Sequence, residues 1–242
     1  MKILVTGASS GIGEALARLY AKDGHDLVLL ARREDRLEIL KSELIEAKSV
    51  ELVVVDVIDF ELLQKKIKLV SDIDMVILNA GASLGHSLEI TPFCDFKKLY
   101  DINLLSNHAI LEVLLPQFCA KKSGKIVFIS SLASLISMPT SVAYSSSKRA
   151  LNAYAEGMRY KYKNDGIKVI NILPGFIKSE MTDKNSFKMP FFLSTENGAK
   201  RIYDAIKKEK IFYPFPLRFY LIISLFKLLP QFLRDKIVNL LL

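Results

Sequence analysis

Tyr144 and Lys148 stand four positions apart in a segment patterned as a helix near 143–163. That spacing puts both on one helical face, about a turn apart. An ammonium beside a phenol favours the phenolate and brings its pKa down from about 10 towards working pH. A phenol tuned this way protonates a carbonyl oxygen or takes a proton from an alcohol. Y-x-x-x-K alone is common by chance, and Tyr154, Tyr160, Lys161 and Tyr162 crowd the same segment. Tyr144 is singled out by its place, opening the helix that follows Ser130 and Ser131 at the end of a strand-like run.

A second constellation lies near the N-terminus. Thr6-Gly7-Ala8-Ser9-Ser10-Gly11-Ile12-Gly13 joins the strand-like Ile3–Thr6 to an amphipathic helix near 12–23. Glycines allow left-handed turns and let backbone approach a pyrophosphate, while the helix N-terminus offers free N–H groups to the anion. The spacing is G-x3-G-x-G rather than the commoner G-x-G-x-x-G. Strand, glycines and helix nevertheless agree on a dinucleotide. The second strand-like run ends in Arg32 and Arg33, with no acid before Glu34. An acid there would bind a ribose 2′-hydroxyl, whereas a guanidinium suits a 2′-phosphate, so NADP is expected over NAD. The alternative is a solvated charge pair at a helix start. Asp56 ends the third run and Asn79-Ala80-Gly81 the fourth. Asp56 could accept from an adenine amino group and Gly81 could pass close to a cofactor, although both also suit ordinary turns.

The elements that must position these residues alternate in type. Apolar runs at Ile3–Thr6, Leu27–Leu30, Glu51–Val55, Met75–Leu78, Lys125–Ser130 and Lys168–Leu173 read as strands covered on both faces. Helical patterns fall near 12–23, 34–47, 60–70, 95–120 and 143–163. This alternation predicts an α/β fold: a single doubly wound Rossmann-type domain with a parallel sheet. The catalytic domain is expected over 1–213, with an irregular insert at 176–195 and an apolar helical tail over 214–242. The chain has 242 residues, half of them hydrophobic and a quarter charged, which excludes disordered and disulfide-scaffold classes. Its two cysteines, Cys94 and Cys119, read as small buried apolar residues in a reducing compartment, and no metal site is expected. The net charge of +8 is spread along the chain without a dense basic tract, so nucleic acid is not expected as a partner. The start carries no signal-peptide pattern, which points to the cytoplasm.

Taken together the motifs resemble the short-chain dehydrogenase/reductase family, in its single-domain, NADP-preferring form. TGASSGIG at 6–13, NAG at 79–81, Asn103, Ser130-Ser131, YSSSK at 144–148 and PG at 174–175 match it in order and spacing over about 2–210. The resemblance implies a catalytic Ser131, thirteen residues before Tyr144, holding the substrate carbonyl. It implies Tyr144 as general acid/base, and Lys148 binding nicotinamide ribose hydroxyls while tuning Tyr144. Asn103 would hold a water that links the lysine to a proton relay. Gly7, Ser9, Ser10, Gly11, Ile12, Gly13, Asp56, Asn79, Ala80 and Gly81 would line the cofactor. Arg32 would favour NADP with support from Arg33 and Ser9, Pro174 and Gly175 would flank the nicotinamide, and Ile177 and Ser179 would sit near its carboxamide. Leu78 replaces the family's usual first asparagine and Ser179 its usual threonine. Read singly, Ser131 could satisfy a strand end and Asn103 could cap or kink a helix.

The reaction implied is NADP(H)-dependent reduction of a carbonyl, or oxidation of the alcohol. The competing class is a catalytically idle dinucleotide sensor or scaffold. Met181, Phe187, Met189, Phe191, Phe192 and Leu193 of the insert are expected to line the pocket, which suits an apolar small molecule. A last strand is expected near Ile211–Tyr213, after a helix at about Thr195–Lys208. Leu217–Leu229 is then apolar on nearly all faces, with a second segment beyond Pro230. This tail could lie in a membrane interface, close the cleft or enter a partner subunit. Its flanking cations and proline breaks favour lipid. The expected partners are thus an apolar carbonyl or alcohol, further copies as a homodimer or homotetramer, and a membrane surface at 217–242.

Overall fold

The computed structural model describes residues 1–185 and 189–240. Seven strands form one parallel sheet in the order β3-β2-β1-β4-β5-β6-β7. They are β1 (Lys2–Thr6), β2 (Asp26–Ala31), β3 (Ser49–Val54), β4 (Met75–Leu78), β5 (Gly124–Ile129), β6 (Ile167–Pro174) and β7 (Phe212–Phe215). The helices are α1 (Gly11–Lys22), α2 (Glu34–Glu43), α3 (Phe60–Lys68), α4 (Phe93–Tyr100), α5 (Ser106–Lys121), α6 (Val142–Lys161), α7 (Thr195–Lys207), α8 (Leu217–Leu228) and α9 (Gln231–Leu240).

The apolar strands follow from helices on both faces. Alternate side chains of β1 point to opposite sides, so Ile3 and Val5 join one core while Leu4 joins the other. The first core is filled from α1, α2 and α7 by residues such as Leu16, Leu37 and Ile202. Leu63, Leu114 and Leu151 fill the second from α3, α5 and α6. Strand order reverses between β1 and β4, and at that switch point the carboxyl ends of the strands open a crevice.

Several boundaries depart from the expected ones. β3 is a sheet edge, so Ser49 and Glu51 are exposed rather than covered on both faces. α2 stops at Glu43, where Leu44 turns into the first core. The stretch 95–120 is not one helix: a π-helical turn at Asp101–Leu105 separates α4 from α5. The last strand lies slightly later than expected, at Phe212–Phe215. Cys94 is exposed and Cys119 half-buried, so neither is the fully buried residue expected. Among the described residues no helix is long and apolar enough to cross a membrane.

Candidate active site

A cleft of about 940 Å³ runs along the carboxyl ends of the strands. Its floor is the turn between β1 and α1. Gly7 has φ +66°, and a β-carbon there would lie 3.0 Å from the Ala80 Cα. A β-carbon on Gly13 would lie 2.3 Å from the Gly7 carbonyl oxygen, so only glycine lets α1 start this close to the turn. Thr6 ties the turn to its neighbour: its buried Oγ1 accepts from the backbone N–H of Asn79 and of Ala80, each at 2.9 Å. Asn79 returns the bond, donating from Nδ2 to the Thr6 carbonyl at 3.0 Å.

The two arginines after β2 go to different places. Arg33 donates to Ser9 Oγ at 3.2 Å from Nε and to Ser10 Oγ at 2.7 Å from Nη2. Arg32 is more exposed and faces Asp56 at 3.6 Å. Both line the cleft together with Asp56, which follows the edge strand β3.

Further along, four elements converge. Ser131 follows β5, and its hydroxyl bonds both the Ala133 N–H, at 3.1 Å, and the Tyr144 phenol. Tyr144 and Lys148 share a face of α6, as their spacing predicts. Lys148 is buried, with Nζ donating to the Ile129 carbonyl at 3.0 Å. Ser130 is buried beneath, donating to the Lys148 carbonyl at 3.4 Å. Asn103, fully buried in the π-helical turn, accepts from Ala82 N–H at 2.8 Å and donates to the Ala82 carbonyl and to Ser147 Oγ. A β-carbon on Gly81 would lie 3.3 Å from Asn103 Oδ1 and 3.4 Å from Lys148 Nζ, so these three meet at one point. The π turn has a job here: it aims Asn103 inward to pin the chain after β4 against α6.

The electrostatics differ from expectation. Burial pushes the Tyr144 phenol up, and the opposing pull is the Ser131 hydrogen bond rather than the Lys148 charge. Burial also pulls Lys148 down from 10.5 to about 8. Lys148 is buried and Tyr144 half-buried, and desolvation disfavours the charged form of each.

Pro174, Gly175, Ile177 and Ser179 all line the cleft. A short bridge between Ile177 and Leu193 closes the base of the insert. Of the insert residues expected in the pocket, Met181 lines it and Met189 does not; Phe176, where the insert begins, lines it as well. Leu193 instead packs on the first core, Phe191 sits against Phe219 with ring centres 5.7 Å apart, and Phe192 is largely exposed. Phe187 lies outside the described residues. At this end the inner face of the tail takes the cleft-closing alternative, which the sequence ranks behind lipid. After a cis Phe215–Pro216 peptide, α8 folds back so that Phe219, Tyr220 and Ile223 pack with Leu132, Leu135, Ile136 and Leu173. Phe219 and Ile223 form part of the cleft wall. Their i, i+4 spacing was a visible signal, drowned by apolar residues all round the helix. His86 and Thr140, paired at 3.1 Å, line the same end.

A doubly wound sheet with a glycine turn at its switch point, and Ser131, Tyr144 and Lys148 in the same crevice backed by buried Asn103, define a dinucleotide-binding fold class. The comparisons name it: residues 1–189 match the model of the short chain dehydrogenase family, and the chain belongs to the short-chain dehydrogenase/reductases, oxidoreductases that bind nicotinamide dinucleotides. It is 37% identical over 216 residues to an uncharacterized oxidoreductase of Mycobacterium tuberculosis, covering 86% of this chain and 85% of the relative. An uncharacterized oxidoreductase of Myxococcus xanthus is 32% identical over 237 residues, covering 96% and 94%. A short-chain dehydrogenase from Sphingobium yanoikuyae, solved in complex with NADPH, superposes with a TM-score of 0.83 at 24% identity, over 95% of this chain and 96% of that one.

Proposed function

We propose that the protein is an NADP(H)-dependent oxidoreductase that reduces the carbonyl of an apolar small molecule, or oxidises the corresponding alcohol. The observation that carries the reading is the meeting of Ser131, Tyr144 and Lys148 in the cleft that also holds the glycine turn, with Asn103 buried directly behind it.

The cleft fits a dinucleotide. Gly7 and Gly13 pack the turn so closely against β4 and itself that only backbone forms its surface, with Ser9, Ser10, Gly11 and Ile12 lining the cleft beside it. Arg33 and Arg32 supply cations for a 2′-phosphate, and Asp56, Asn79, Ala80 and Gly81 continue the groove towards Lys148. Pro174, Gly175, Ile177 and Ser179 wall the nicotinamide end. When bound, the nicotinamide supplies or accepts the hydride at the carbonyl carbon. The chain does the rest. Ser131 donates to the substrate oxygen, and Tyr144 gives that oxygen its proton. A phenol at its ordinary value of about 10 is protonated at neutral pH, the form that reduction requires, and the upward shift of Tyr144 runs in the same direction. Lys148 holds ribose hydroxyls and, when charged, draws the phenol back down. Asn103 fixes the Gly81–Ala82 backbone beside it.

Leu88, Leu132, Ile136, Met138, Phe219 and Ile223 make the substrate end apolar, and His86 and Thr140 add one polar pair. Around this site we place a cytoplasmic homodimer or homotetramer. The outer face of α8 exposes Leu217, Leu221, Ile222, Leu225 and Leu228 among the exposed cations Arg218 and Lys227. That pairing of apolar surface and positive charge suits an anionic membrane surface.

The test is a broad panel of ketones, aldehydes and alcohols, followed by nicotinamide absorbance with NADPH or NADP. Turnover with an apolar carbonyl supports the reading. Tight NADPH binding with no turnover across the panel overturns it in favour of an idle sensor.

A further inference from the structure

Glu180 follows the nicotinamide-end residues and carries no family motif, yet it reaches across the cleft to the start of α2. Its carboxylate accepts from Arg33 Nη1 at 2.9 and 3.2 Å, and from Arg36 as well. Arg33 is the guanidinium whose Nε and Nη2 are spent on Ser9 and Ser10. Its remaining edge, on the cleft side, is the one Glu180 takes. A guanidinium offers a planar fork of five donors, and that fork matches carboxylate and phosphate oxygens alike. One edge does not serve both anions at full strength. Arg32, more exposed and facing Asp56 at 3.6 Å, stays available to the same phosphate beside Arg33.

We propose that Glu180 sets cofactor preference by competing with the 2′-phosphate for Arg33, holding the NADP-over-NAD preference below what the arginines alone would give. The inference rests on the reading that Arg33 faces a 2′-phosphate. It adds an internal rival for that phosphate. It also couples the cofactor to the insert, because a dinucleotide bearing the phosphate takes Arg33 from Glu180 and leaves the chain after Ser179 tethered to α2 by Arg36 alone. A dinucleotide without it leaves both ties in place.

The ion pair is partly solvated, with side-chain exposures of 31% for Arg33 and 52% for Glu180. Its removal therefore changes affinity by about two- to fivefold. The experiment is calorimetric titration of the full chain with NADPH and with NADH, for wild type, Glu180→Gln, Arg33→Ala and the double variant. Glu180→Gln should tighten NADPH by about two- to fivefold and leave NADH unchanged. In the Arg33→Ala background the same substitution should do nothing, as a double-mutant cycle requires. If Glu180→Gln instead weakens NADPH, Glu180 orients Arg33 for the phosphate and the competition is refuted. Equal tightening of both cofactors, or no change in either, refutes it too. Arg33→Ala separates this failure from a deeper one. An unchanged NADPH-to-NADH ratio in that variant removes Arg33 from the 2′-phosphate reading, and the competition with it, and leaves Arg32 as the remaining cation. A collapsed ratio with an inert Glu180→Gln removes the competition alone.

Discussion

The Gly7–Gly13 end of the cleft and the Phe219 end are built in opposite ways. At the first, a contiguous run of chain forms strand, turn and helix, and backbone atoms make the surface. Thr6 and Asn79 lock that turn to the neighbouring strand through four hydrogen bonds within 3.4 Å. At the other end, side chains from the loop after β4, the turn after β5, the insert and α8 meet across long sequence separations. A backbone-built site recognises what every member of a ligand class shares, here a pyrophosphate, whereas a side-chain-built wall is free to vary. The cofactor half should therefore be intolerant of added volume and the substrate half tolerant of change at the cost of substrate affinity.

Lys148, at the joint between the halves, should show the largest effect. Its ammonium falls from 10.5 to about 8 on folding. Between those values the folded chain binds fewer protons than the unfolded one, so stability rises with pH across that window. Relative to Lys148→Met, the wild type should gain up to about 3 kcal/mol as pH goes from below 8 to above 10.5. Denaturant melts at a series of pH values measure this, and a pH-independent gap would mean that the ammonium is not desolvated.

Gly13→Ala comes next and tests the backbone-built half. Its β-carbon has nowhere to go, 2.3 Å from the Gly7 oxygen. The turn should shift at a cost of about 1–3 kcal/mol, read as a lower melting midpoint and weaker binding of both NADPH and NADH. Preserved cofactor affinity would show the turn to be softer than its hydrogen bonds imply.

Replacing Phe219 and Ile223 together by alanine tests the other half. KM for an apolar carbonyl should rise by about tenfold while NADPH affinity stays level, because one or two lost apolar contacts are worth that much. Loss of cofactor binding would mean that α8 supports the whole crevice. The smallest effect belongs to the outer face of α8. Leu221→Ser with Leu225→Ser should lower co-sedimentation with anionic phospholipid vesicles by about three- to tenfold and leave turnover in solution unchanged. Dissociation into smaller oligomers instead would assign that face to a partner subunit.

Legibility in the sequence followed the same division. The β1 turn, the order of Asn103, Ser131, Tyr144 and Lys148, and the alternation of strands and helices are local or ordered features that a linear reading captures. Glu180 pairs with Arg33 across 147 positions, and nothing in its surroundings announces that. The π turn that aims Asn103 leaves the apolar pattern of 95–120 intact. In α8 the inward stripe is masked because residues facing water are as apolar as those facing the cleft. The direction of the Tyr144 shift depends on burial, which spacing does not reveal.

The central claim is that Tyr144 moves the proton in a hydride-transfer reaction. The direct measurement is a single-turnover reaction of NADPH-loaded protein with a carbonyl found by the panel, comparing wild type with Tyr144→Phe. Phenylalanine keeps the ring and deletes the transferable proton. The rate constant should fall by about a hundredfold or more, with NADPH affinity within about twofold of wild type because a lost neutral hydrogen bond is worth little. A Tyr144→Phe protein that turns over at the wild-type rate would contradict the account.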